Sequence, residues 1–203
     1  MKSHKTAVIQ ALDRSNGERS IARFLKRNPY LVLRAFGDFG NHGNYVLAEF
    51  GLGKAFCADF VIVQGYSTGW RVDFIELEPV IDPLFNKDRT PTKRLRLAQK
   101  QVADWREYER TDELSLRRQL ADATKNGDLI KRCSDAGDPC TMSNQRLRDP
   151  ESFVRYCHHI VIGRRRLLSK QAQRLRSRSF DNDHVDIATY DRIVDVAEEF
   201  DAH

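Results

Sequence analysis

The stretch DFVIVQGYSTGWRVDFIELEP, residues 59–79, decides the fold. Two runs rich in Val, Ile and Phe flank a segment in which Gly65 and Gly69 mark a turn, a pattern that predicts a β-hairpin. Extended to FCADFVIVQ (56–64) and WRVDFIELE (70–78), and preceded by NYVLAEFGL (44–52), the runs predict three strands in an antiparallel meander. A strand has period two, so Glu76 and Glu78 share a face with Val72 and Phe74, while Asp59 lies on the neighbouring strand.

Helices are expected on both sides of the meander. Ser15 stands three residues before Glu18, a capping-box pattern, and Ile21, Phe24 and Leu25 follow at helical spacing until Asn28-Pro29 ends the run. Beyond the loop 79–92, Leu95, Ala98, Val102 and Trp105 form an apolar stripe on a helix over 93–110, which places Trp105 in the core. The polar segment 112–149 begins helically and loosens, and is expected to be a peripheral insertion. HHIVIGRR then reads as a buried strand with a basic end, RRLLSKQAQRLRS as a basic helix, HVDIATY as a strand and YDRIVDVAEEF as a closing helix. This order predicts an α/β fold with a mixed central sheet flanked by helices, in one domain over 1–203.

Composition limits the function classes. The 203 residues are 40% hydrophobic and 31% charged, enough for one core, and the net charge of +5 favours an anionic partner. No apolar run reaches the length of about eighteen residues expected of a membrane span, and the N-terminal residues lack a signal-peptide core, so a cytoplasmic protein without a membrane partner is expected. Cys57, Cys133, Cys140 and Cys157 lack zinc-site spacing and are expected to be reduced thiols.

Three carboxylates converging on one patch repel one another and resist ionisation unless a cation lies among them. Hard oxygen donors suit Mg²⁺ or Mn²⁺, and Mg²⁺ takes one or two carboxylates and keeps water or phosphate oxygens as its other ligands. The ordinary alternative is a solvated sheet face whose acids pair with the many arginines.

The order Asp, about fifteen residues, then Glu-x-charged on a hairpin between helices resembles the core of the PD-(D/E)xK nucleases. RFLKRNPYLV, LAEFGLGKAFCADFVIV, ELEP, LFNK, QVADW, HHIVIGRR and VDIATYDRIV together resemble the C-terminal nuclease domain of the Shedu anti-phage defence family. The resemblance implies a restriction-endonuclease-like core that cleaves DNA, expected to be double-stranded, with a metal cofactor. It makes Asp59 and Glu76 the metal-binding acids, with Glu49 a further acid, and makes Gln101 similar to the glutamine that orients the site in RecB-type nucleases. It also suggests a homo-oligomer, since both strands must be cut.

Position 78 departs from the general pattern, which has a lysine where this chain has Glu78. Glu78 would serve a second metal ion, or a lysine would reach in from another element, with Lys93, Lys100 and Lys87 as candidates. The run 163–179 is basic throughout, and Arg166, Lys170 and Arg174 recur every four residues, so one helix face is expected to follow phosphates, joined by Arg164 and Arg165. His158 and His159 point to opposite sides of a strand and are read as structural. Two alternatives remain: a DNA-binding or sensor module with a weak or inactive site, and a protein-interaction domain using segment 112–149.

Overall fold

A computed structural model describes residues 3–15, 17–38, 43–126, 129–131 and 139–202. Three helices lead in: α1 (His4–Asp13), α2 (Glu18–Arg27) and α3 (Pro29–Phe36). The meander follows as β1 (Gly43–Leu52), β2 (Phe56–Gly65) and β3 (Trp70–Leu77), antiparallel as expected. Then come α4 (Lys93–Asn126), β4 (Leu129–Lys131), β5 (Val154–Val161), a 3-10 turn (Arg165–Leu167), α5 (Lys170–Asp183), β6 (Val185–Ala188) and α6 (Asp191–Asp201). The strands form one mixed sheet in the order β4-β1-β2-β3-β5-β6, with β5 and β6 added parallel to β3.

Alternation along the strands divides the core between two faces. Val61, Val63, Val72 and Phe74 pack with Leu95, Val102 and Trp105 of α4. Phe60, Ile62 and Ile75 pack with Val8 and Leu12 of α1, Ile21 and Leu25 of α2 and Ile193 of α6. Trp105 is fully buried, as the apolar stripe requires.

Several local expectations are corrected. Ser15 does not cap α2, whose N-cap is Gly17 without a side-chain bond. The Ser15 hydroxyl instead donates to Gly17 O (2.5 Å) and meets Ser20 Oγ, closing the turn that follows α1. Pro29 ends one helix and begins the next, because its fixed φ and missing N–H suit a first helical position.

The segment 112–149 is not peripheral where it is described. Helix α4 bends at Asp112, whose backbone leaves the helical region (φ −128°, ψ 33°), and continues to Asn126. Leu116, Leu120, Ala121 and Leu147 are fully buried against the sheet. The buried Arg117 donates to Asp149 O (3.0 Å) and Ser152 O (2.9 Å), and Trp70 Nε1 donates to Gln145 O (3.2 Å). The polar composition belongs to the outer face and the loops, while four-residue apolar spacing supplies the inner face. Residues 127–128 and 132–138, with Cys133, lie outside the described residues. Cys57, Cys140 and Cys157 are free thiols.

His158 and His159 take opposite faces. His158 stacks on Phe74 and its Nε2 is 2.7 Å from Glu109 Oε1, whereas His159 bridges Asp73 (2.8 Å) and Asp186 (3.2 Å).

The loop after β3 is pinned to the neighbouring strand β5 and to the turns that follow β5 and β6. Glu78 N–H donates to Val161 O (2.8 Å), Tyr190 OH donates to Glu78 O (2.8 Å), and Gly163 N–H donates to Pro79 O (3.2 Å). Gly163 has φ +65°, and a Cβ there would stand 2.4 Å from Asp82 O. Gly163→Ala is therefore expected to cost about 1–3 kcal/mol, measured as a lower urea midpoint at unchanged m-value.

Candidate active site

The acids are assembled by strand register. Continuing the β2–β3 register by one residue past Phe60↔Ile75 sets Asp59 opposite Glu76. Glu49 falls in the gap between the pairs Ala48↔Phe60 and Phe50↔Ala58, also opposite Asp59. Thus β1, β2 and β3 each place an acid at one level of the sheet. Asp59 is held there by the Leu77 N–H, which donates to Oδ2 at 2.7 Å. Glu49 has φ 55°, a left-handed conformation that a non-glycine residue keeps only where its surroundings hold it. Its carboxylate is 74% exposed and paired with Lys26 Nζ at 3.1 Å, which sets Glu49 at the rim.

Two adjoining clefts open onto this level. One, of about 490 Å³, is lined by Glu18, Arg23, Lys26, Glu49 and Asp59; the other, of about 560 Å³, by Glu18, Glu76, Glu78, Arg94, Lys100 and Gln101 among others. Asp59 lines the first cleft and Glu76 and Glu78 the second, with Asp59 opposite Glu76 across the β2–β3 pair, and Glu18 lines both. Glu76 and Glu78 do share a face, as the strand period requires.

Electrostatics link the two groups. Burial, reinforced by Asp59 and Glu78, pushes the Glu76 carboxyl up to about 9 against a hydrogen bond from Gln101. Burial also raises Asp59 to about 6 against the Leu77 N–H, and Glu78 to about 7 against the Arg94 guanidinium. Glu18 adds to the rise of all three. Protons are retained where carboxylates crowd without enough positive charge. Gln101 also donates from Nε2 to Cys57 O (3.2 Å), so its amide ties α4 to the start of β2 beside Glu76.

Residues 15–194 match the family described as Shedu protein SduA, C-terminal. The chain belongs to the Shedu family. No curated protein matches it. In this Shedu domain the lysine candidates separate clearly. Lys100 lines the cleft that holds Glu76, whereas Lys87 lines a different one between the 84–89 loop and α5. Lys93 is exposed at the first position of α4 and is not among the lining residues.

Sequence reasoning missed two members of the site. Glu18 was assigned to a helix cap, although an acid in the first turn of a helix facing the hairpin was the available signal. Arg94 lies seven residues before Gln101, two helical turns along the same face, a spacing visible in the sequence once Gln101 is placed.

The basic run of the Shedu domain does not form one continuous face. Arg164 is buried and paired with Asp191 (3.2 Å) and Asp13 (3.5 Å), and Arg165 pairs with Asp195. Arg166 lies in the 3-10 turn, ahead of the helix that carries Lys170 and Arg174, because the chain turns after Gly163 before α5 begins. Arg166, Lys170 and Arg174 are exposed. No helix among the described residues is long and apolar enough to cross a membrane.

Proposed function

We propose that this Shedu domain is a metal-dependent endonuclease that hydrolyses phosphodiester bonds of DNA in anti-phage defence. The observation that carries this reading is the crowding of Asp59, Glu76 and Glu78 at one end of the hairpin, backed by Gln101. The donor set is made of carboxylate oxygens, which fits Mg²⁺ or Mn²⁺. Among the described residues no group of three or more His, Cys, Asp or Glu could by itself hold a metal ion. An ion held by Asp59 and Glu76 would take its remaining ligands from water and substrate oxygens.

Such an ion supplies Lewis-acid polarisation of the phosphoryl oxygen and lowers the pKa of bound water. The residues of the chain supply position. Leu77 N–H fixes Asp59, Gln101 fixes Glu76, and the exposed Lys100 gives the cleft a positive rim for the nucleic-acid backbone. Hydrolysis adds water across one P–O ester bond: the water oxygen joins phosphorus, and the ester oxygen leaves as a sugar hydroxyl carrying one of the water protons.

The test is incubation of supercoiled, linear double-stranded and single-stranded DNA with Mg²⁺, Mn²⁺ or EDTA, comparing wild type with Asp59→Ala. Cleavage that needs metal and vanishes in the variant is expected; cleavage unaffected by Asp59→Ala would sink the proposal. Salt-sensitive DNA binding without turnover in any metal would favour a binding module, the reading to which the acid at position 78 gives weight.

A second expectation follows from the raised carboxyl pKa values. The folded state keeps protons on Asp59, Glu76 and Glu78 that the unfolded chain releases from about pH 4 upward, so apo stability falls as pH rises through about 6, 7 and 9. A bound cation replaces those protons and stabilises only the folded state. The Mg²⁺-induced rise in melting temperature is thus expected to be small near pH 5 and to grow toward pH 9. A pH-independent shift would count against these acids as the ligands.

A further inference from the structure

Gln101 sets the alignment of α4 against β3. Its amide meets Glu76 and Cys57 O. Arg94, two turns earlier on the same face, lies about 10 Å along the helix axis from Gln101. Moving from Glu76 to Glu78 advances about 6.6 Å along the strand. Arg94, Gln101, Glu76 and Glu78 line one cleft, so the guanidinium and the amide, two turns apart on α4, face the two acids of β3. Leu97, 49% exposed, sits between them on the cleft wall.

We infer that Arg94 grips the scissile phosphate and supplies from α4 the positive charge that the lysine absent at position 78 would have supplied from β3. This rests on the nuclease function proposed above. The Arg94 side chain is 55% exposed, and its one ion pair among the described residues, Nε to Asp82 Oδ2, is 3.9 Å long, which leaves its planar fork available to a phosphate. The long contact to Asp82 does not saturate the guanidinium, which lines the cleft together with Glu78. Lys100 lines the same cleft but precedes Gln101 by one position, and is therefore turned about 100° from the face shared by Arg94 and Gln101. Its place is on a flanking phosphate. A guanidinium also binds phosphate in two-point fashion, so lysine is only a partial replacement for it.

The experiment uses Arg94→Ala, Arg94→Lys, the double variant Glu78→Lys/Arg94→Ala, and Arg110→Ala as an equal charge change farther along α4. Plasmid cleavage in Mg²⁺ is measured beside binding of a fluorescein-labelled duplex in EDTA over a range of salt. Arg94→Ala is expected to cut about 100-fold more slowly or worse. The slope of log K against log salt should fall by about 0.9, the value for one lost phosphate contact. Arg94→Lys keeps the slope and regains part of the rate, Glu78→Lys/Arg94→Ala recovers cleavage over Arg94→Ala, and Arg110→Ala leaves cleavage and slope as in the wild type. Wild-type cutting by Arg94→Ala, an unchanged slope, or a double variant no better than Arg94→Ala overturns the assignment. Absence of cleavage by the wild type itself would overturn the nuclease function, and the slope would then decide the phosphate contact separately.

Discussion

Glu76→Gln is expected to lower metal-dependent DNA cleavage by a factor on the order of 10²–10³ and, without metal, to make the protein more stable at mildly alkaline pH. The two effects have one cause. Glu76 is pressed against Asp59 and Glu78 in a poorly solvated place, so its ionisation is opposed up to about pH 9. Glutamine keeps the shape and the contact with Gln101 and carries no charge. Above about pH 5 the wild-type fold must hold a proton that the unfolded chain would release, or else tolerate a buried negative charge; the variant does neither. The gain is expected to be about 0.5–2 kcal/mol near pH 8 and close to nothing near pH 5, measured by urea denaturation in EDTA. A variant that loses cleavage and is also less stable at alkaline pH would show that Glu76 serves the fold and not the reaction.

Leu120→Ala is expected to cost about 2–5 kcal/mol, as large as any substitution in the core. Leu120 lies beyond the bend at Asp112, in the half of α4 that composition alone assigns to an appendage, yet it is fully buried with Leu116 and Leu147. Removing its isobutyl group leaves a cavity that the helix and sheet close only in part. The check is the free energy of urea unfolding, with Leu114→Ala on the same helix, 44% exposed, as the contrast. A loss below about 0.5 kcal/mol at Leu120, the range typical of surface sites, would return this half of the helix to the periphery.

What was legible in the sequence, and what was not, follows from the range over which each signal acts. The meander was legible because strand period and turn glycines are local, and the alternation that sets Glu76 and Glu78 on one face is the alternation that buries Val72 and Phe74 with α4. The helix carrying Gln101 was legible from the stripe ending at Trp105. Helix α1 was not, because Val8 and Leu12 alone make its buried stripe. The position of β5 beside β3 depends on a crossover containing all of α4, which no local pattern encodes. For the same reason the roles of Glu18 and Arg94 were hidden: both reach the acids across space, from helices on either side of the hairpin. The four-residue spacing of Arg166, Lys170 and Arg174 misled, since regular spacing implies a shared face only where the helix is unbroken.

The seat of the acid pair also has an order in time. Tyr190, which holds the carbonyl of Glu78, is made 112 residues after it. A chain emerging from the ribosome therefore displays Asp59, Glu76 and Glu78 long before it contains the hydroxyl that anchors the loop behind them. Until that segment is synthesised and docked, the nascent polypeptide carries all three acids without the finished clasp behind Glu78. A product released early by a premature stop before Tyr190 would keep Asp59, Glu76 and Glu78 and lack that clasp.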